Sequence, residues 1–83
     1  MNINVNGKKV SNDTQLQYVD NPKRNGCKAW QRYEVYQEAQ TIGEYVNLFQ
    51  PNGELERKYM MPDLKFDQEK GWLKLLDADG NEL

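Results

Sequence analysis

Turn punctuation limits this chain's folds more than any other feature. Asn6-Gly7, Asn21-Pro22, Asn25-Gly26, Gln50-Pro51-Asn52-Gly53 and Asp79-Gly80 interrupt it, and Gly and Pro at such steps set backbone angles, or remove donors, that regular elements do not tolerate. Only short strands and helices fit between them. From Lys28 to Gln40 there is neither Gly nor Pro. At about 100° per residue, Ala29, Tyr33 and Tyr36 fall on one stripe with Trp30 on its flank, which predicts a helix with an aromatic, core-facing side. Lys28 and Arg32 sit four residues apart on another flank, and Glu34, Glu38 and Gln31 occupy the far side. Like charges at that spacing cost a few tenths of a kcal/mol in an isolated helix. A nearby carboxylate is the simpler expected compensation, and an anionic ligand the more informative one.

The remaining segments follow from similar signals. Asn2 to Ser11 alternates Ile3 and Val5 ahead of Asn6-Gly7, with Val10 beyond, which predicts a β-hairpin. Asp13 to Asp20 alternates Leu16 and Tyr18 against Gln15 and Gln17, suiting a short half-buried strand or an extended connector. Thr41 and Glu44 have the spacing of a capping box before Ile42, Tyr45, Val46 and Phe49, so a second helix starts there. Gln50 to Met61 reads as an excursion, either a loop or one arm of a hairpin with Tyr45 to Phe49. Pro62 to Lys70 has helix start and stop signals, with Gly71 just past its end, and is expected to bury Leu64 and Phe66. Trp72 to Leu76 reads as a strand pairing with the N-terminal hairpin. Residues 1–83 form one domain of α+β class, a small antiparallel sheet of the N-terminal hairpin plus the C-terminal strand packed against two or three helices.

Several chemistries lack their residues. The sequence contains no histidine, which removes the commonest general base and zinc ligand and every Ser-His or Cys-His pairing. No glycine-rich phosphate loop is present. The expectation is a non-enzyme that uses no cofactor and no metal. Asp77-Ala78-Asp79-Gly80-Asn81-Glu82 superficially resembles a calcium loop, but its Gly falls one place early and an Asp-Gly turn is the better reading. The single cysteine, Cys27, stands where the aromatic helix begins; with no histidine to act as its base, a small residue under the first turn is expected rather than a nucleophile. The apolar runs are too short to span a bilayer and Met1 to Lys9 lacks a signal-like apolar core, so a host-cytoplasmic protein without membrane contact is expected.

Charge is distributed unevenly. Up to Tyr33 there are six basic residues, Lys8, Lys9, Lys23, Arg24, Lys28 and Arg32, against Asp13 and Asp20, whereas from Glu34 onward five bases face eleven acids. The first part carries +4 and the second −6, within a net charge of −2. Such asymmetry suits a nucleic-acid face or a face for an acidic protein. Lys23 and Arg24 lie in the loop before the aromatic helix, where cations and free backbone N–H groups together favour a phosphate.

Asn21-Pro22-Lys23-Arg24-Asn25-Gly26-Cys27-Lys28, then Arg32-Tyr33-Glu34-Val35-Tyr36, Ala39 and Thr41, and later Asp63-Leu64-Lys65-Phe66-Asp67 and Lys70-Gly71-Trp72-Leu73, resemble a module of small viral and phage proteins. That module is similar to the dinoflagellate and algal-virus nucleoprotein family. The resemblance implies a virus-encoded, DNA-associated protein with Lys23, Arg24, Lys28 and Arg32 in its basic motif. Asn25 stands where that pattern has Pro, Cys27 replaces a Ser, Asn52 to Met61 is extra, and the chain is acidic overall. The expected function is therefore a phage-encoded accessory protein that binds nucleic acid, DNA ahead of RNA, through Lys23, Arg24, Lys28 and Arg32, with Lys8 and Lys9 outlying. The alternative is a protein-binding module, such as a phage inhibitor of a host defence or transcription protein.

Overall fold

The computed structural model describes residues 3–83, so Asn2, where the hairpin reading began, lies outside the described residues. Strands β1 (Ile3–Val5) and β2 (Lys8–Val10) pair antiparallel, Ile3 opposite Val10 and Val5 opposite Lys8. Asn6 and Gly7 both take positive φ, 51° and 85°, the requirement of the tight turn that Asn-Gly meets cheaply. The side-chain oxygen of Asn4 accepts from Gly7 N at 2.9 Å. Both Val5 and Val10 are buried.

Strand β3 (Gln15–Tyr18) does not join that hairpin. It pairs antiparallel with β4 (Leu73–Leu76), Leu16 opposite Leu75, so the described residues form two separate two-stranded sheets. The C-terminal strand thus partners β3 rather than the hairpin, while the α+β class stands. Short pairings cover the outer edges of this second sheet: Leu16 N donates to Gln40 O at 2.9 Å, and Leu83 N to Leu75 O at 2.9 Å. Unpaired edges are sites of aberrant pairing, and these bonds close them. They also explain why α1 (Lys28–Tyr36) ends before Gln40. The chain must be extended at Gln40 and Thr41 to reach Leu16 and Gln15.

Helix α2 (Ile42–Asn47) starts as its capping spacing requires, with Thr41 Oγ1 accepting from Glu44 N at 3.2 Å. The Gln50 to Met61 excursion is neither plain loop nor hairpin arm. Leu55 turns inward and makes a parallel bridge to Phe49, then Arg57–Tyr59 form a 3-10 turn leading into α3 (Met60–Glu69). Gly53 backs onto Leu48; a Cβ there would stand 2.2 Å from the Leu48 carbonyl oxygen. Gly71, at φ 80°, ends α3.

Helix α3 buries Met60, Asp63, Leu64 and Asp67, the i, i+3, i+4, i+7 pattern of one helical face. Phe66 falls off that face and is 46% exposed, contrary to its expected burial. On α1 the buried residues are Tyr33 and Tyr36, and Ala29 and Trp30 are only half-buried.

The core is threaded by a file of aromatic rings. Tyr18, Tyr33, Tyr36, Tyr45 and Phe49 follow one another at centroid distances of 6.0, 5.3, 5.2 and 4.9 Å, tilted or edge-to-face as ring quadrupoles prefer. Their hydroxyls need partners when buried. Tyr33 donates to Val19 O at 2.8 Å, Tyr45 to Met60 O at 2.7 Å and Tyr36 to Asp67. Burial pushes the Tyr33 phenol up to about 12 and drives those of Tyr18, Tyr36 and Tyr45 upward as well. The buried Tyr18 hydroxyl alone lacks a partner among the described residues.

An unsatisfied buried hydroxyl costs about 1–3 kcal/mol, whereas a bonded one contributes about 1. Tyr18→Phe is therefore expected to leave stability unchanged or raise it by up to about 1 kcal/mol. Tyr45→Phe, which removes the hydroxyl's bond to the Met60 carbonyl, is expected to cost about 1 kcal/mol. Urea unfolding of the two variants measures both.

Candidate interaction surface

The loop from Asp20 to Cys27 is tied to the helix that follows it. Asn21 Nδ2 donates to Trp30 O and to Glu34 Oε2, both at 3.0 Å, and Asn21 Oδ1 accepts from Lys23 N at 3.0 Å. Cys27 is the N-cap of α1, its Sγ accepting from Trp30 N at 3.4 Å. Thiols are weak acceptors, so this is a weaker cap than a serine hydroxyl would give.

This loop and helix do not present their four cations together. Lys23 turns inward, its Nζ 2.6 Å from Asp67 Oδ1, with side-chain exposures of 9% and 0%. Arg32 also turns toward α3, donating through Nε and Nη2 to Asp63 at 2.6 and 3.1 Å. The simpler expectation, a neighbouring carboxylate, holds for Arg32. Only Arg24 and Lys28 stay exposed, with no side-chain hydrogen bond or ion pair among the described residues. Lys8 and Lys9 lie away from this loop in sequence, on β2. Lys8 Nζ donates to Leu83 O at 2.8 Å, and Lys9 is exposed.

Each pair leaves an electrostatic mark. Burial pushes the Asp67 carboxyl above the usual range, against the opposing pull of the Lys23 ammonium and the Tyr36 hydroxyl. Its hydrogen bonds to Asp63 raise the Arg32 guanidinium above its usual value. The Tyr59 ring lies 3.9 Å from the guanidinium carbon of Arg32, so the charge is both hydrogen-bonded and stacked, an arrangement that suits arginine rather than lysine.

Arg32 also lines an open groove of about 410 Å³ between α1 and the Glu54–Tyr59 segment. Its apolar lining is Val35, Leu55 and Tyr59, with Lys28 on the helix side and Glu54, Glu56 and Lys58 on the other. Glu56 and Lys58 pair in solvent at 3.2 Å. The groove therefore offers apolar contact flanked by both signs of charge, around a guanidinium already fixed in place. Among the described residues, no cluster of three or more His, Cys, Asp or Glu is placed to hold a metal. Asp77 Oδ1 instead accepts from Asp79 N and Asn81 N, both at 2.9 Å, and Gly80, at φ 90°, donates to Asp77 O at 3.0 Å, closing a turn through Asp79-Gly80. Among the described residues, no helix is long and apolar enough to cross a membrane.

Sequence reasoning missed Asp63, Asp67, Leu55 and Tyr59. The first two carried a signal, two acids four residues apart on the same side as Leu64 and Met60, which places them on a face meant for the core. The groove wall carried none, because it depends on Leu55 turning inward within a polar stretch. Compared with protein-family models, curated proteins and solved structures, the chain matches none.

Removing one member of a buried ion pair costs about 3–5 kcal/mol, because it strands the other charge. Asp67→Ala is expected to fall in that range by urea unfolding. The more exposed Arg32–Asp63 pair should give a coupling of about 1.5–3 kcal/mol, the range of hydrogen bonds to charged groups, in a double-mutant cycle of Arg32→Gln and Asp63→Asn. A coupling near zero would make that pair a contact without energetic weight.

Proposed function

We propose that this chain is a small protein-binding module, of the phage-encoded accessory type, that engages a host protein through the groove between α1 and the Glu54–Tyr59 segment. The observation that carries this reading is the internal use of Lys23 and Arg32. With Asp67 and Asp63 neutralising them, half of the basic motif is withdrawn from any phosphate backbone. Phosphate contacts supply most of non-specific nucleic-acid affinity, each through release of about one counterion. A protein of net charge −2 with two exposed motif cations has little of that term. A groove with an apolar lining and a mixed-charge rim, by contrast, has the composition of a protein contact. The preset Arg32 guanidinium lowers the ordering cost of docking there.

One observation favours nucleic acid as a second reading. Arg24 and Lys28 remain exposed on either side of Cys27, at the N-terminus of α1, where backbone N–H groups suit a phosphate. One experiment separates the two. Labelled single- and double-stranded DNA and RNA are titrated at low salt, where the electrostatic contribution is greatest, and nuclease-treated host lysate is passed over the immobilised protein. Protein binding predicts nucleic-acid affinity weaker than about 10⁻⁴ M, below the usual non-specific range. It also predicts a retained protein that is lost with Lys28→Glu/Glu54→Lys. Micromolar nucleic-acid binding whose salt dependence weakens with Arg24→Ala/Lys28→Ala would replace this reading with the second.

A further inference from the structure

The surroundings of Lys23 differ from those of an ordinary ion pair. Its ammonium lies 4.9 Å from the centroid of the Phe66 ring and 5.0 Å from that of Trp72. The two rings stand 5.7 Å apart at 66° to one another, so they form two walls of a corner. Asp67, fully buried, closes the corner at 2.6 Å, and the Tyr36 hydroxyl donates to the other oxygen of that carboxylate. Ring faces attract cations through their quadrupole, more strongly when water is excluded. Two aromatic walls and an oriented carboxylate are the chemistry of an ammonium receptor.

We propose that Phe66, Trp72 and Asp67 form an ammonium-recognition box whose resident occupant is Lys23. The box takes other alkylammonium groups, methylated ones included, when Lys23 leaves. The methylation tolerance comes from the hydrogen-bond inventory. A lysine ammonium has three N–H donors, and among the described residues Nζ of Lys23 finds one acceptor, Asp67 Oδ1. The aromatic walls stand beside the ammonium, so replacing up to two N–H by N–CH₃ forfeits no hydrogen bond to the described residues and adds apolar contact with the rings.

The occupant comes from a loop rather than from α1 or α3. Lys23 belongs to a loop without regular structure, followed by exposed Arg24, Asn25 and Gly26. Its backbone N–H donates to Asn21 Oδ1 at 3.0 Å, a contact that does not depend on the ammonium. Two exposed apolar residues adjoin the walls: Phe66 itself, at 46%, and Val19, at 44%, whose N–H donates to Trp72 O at 3.0 Å. They give an incoming ligand an apolar landing. A second cation, Lys70, lies 5.4 Å from the Phe66 ring and is the internal competitor for an emptied box. This site is independent of the groove and of the protein-binding reading.

The test is to empty the box and refill it. Lys23→Ala and Lys23→Ala/Lys70→Ala are titrated with n-propylammonium, which replaces the deleted atoms, and with its N,N-dimethyl derivative. Sodium chloride at equal ionic strength and 1-propanol are the controls. Thermal midpoint and the Trp72 indole NMR signal report binding. Both amines should raise the midpoint and shift Trp72 saturably in the double variant, with dissociation constants within about threefold of each other. Wild type should respond at least about tenfold more weakly, because a tethered ammonium competes at millimolar or higher effective concentration. If the variants unfold, the amines should restore their circular dichroism by mass action. Reductive dimethylation of wild-type lysines gives a second measurement, in which one dimethylammonium signal should be ring-current shifted and lose that shift in Phe66→Ala. The proposal is overturned if neither amine saturates or restores folding, if 1-propanol does as well, if dimethylation weakens binding more than about tenfold, or if no dimethyl signal is shifted.

Discussion

Two carboxylates on the inward face of one short helix hold this fold together. Asp63 and Asp67 lie one turn apart on α3, each taking a cation from the stretch that contains the basic loop and α1. A carboxylate as buried as Asp67 is tolerated only when paired and hydrogen-bonded. Lys23 and Tyr36 satisfy it from two directions, one from the loop and one from the helix. The loop, α1 and α3 are thereby fixed relative to one another by groups that are costly to separate. Lys23 in turn sets the corner between Phe66 and Trp72, and Arg32 sets the wall of the groove.

The charge asymmetry of the sequence takes on a different meaning in this light. Its basic part and its acidic part are in part complements of each other: Lys23 and Arg32 come from the first, Asp67 and Asp63 from the second. Opposite charges far apart in sequence draw the two halves together, and half of the basic part's +4 excess is met internally. A linear count cannot distinguish a surface made to attract an external anion from one made to meet an internal acid. Depth decides between them, and depth is a property of the packed chain.

What was legible in the sequence was local. Asn6-Gly7 fixed a hairpin because only a few residue types accept positive φ at both turn positions, and Thr41 with Glu44 marked a helix start through one side-chain bond. The α+β class followed from such signals. The pairing of β3 with β4 was hidden, because Leu16 and Leu75 are fifty-nine positions apart and either strand would have suited the hairpin equally well by pattern. Phe66 misled because an aromatic residue on a helix is expected inside, whereas here two acids occupy the buried face and the ring is set beside a lysine. Of the candidate cations, Arg24, Lys28 and Lys9 are exposed as a surface role requires, and Lys23 and Arg32 are not. The sequence singled out this stretch but hid which way its side chains turn.

Side-chain proton exchange tests this account most directly. Exposed lysine ammonium and arginine Nε protons exchange with water too quickly to be seen at neutral pH and room temperature, while buried, hydrogen-bonded ones persist. A nitrogen-edited NMR spectrum of the wild-type protein under those conditions should show one persistent lysine ammonium and one persistent arginine Nε–H. The first should vanish in Asp67→Asn and the second in Asp63→Asn. A spectrum with neither signal, or with signals indifferent to both substitutions, would contradict the claim that these two carboxylates hold the loop and α1 in place.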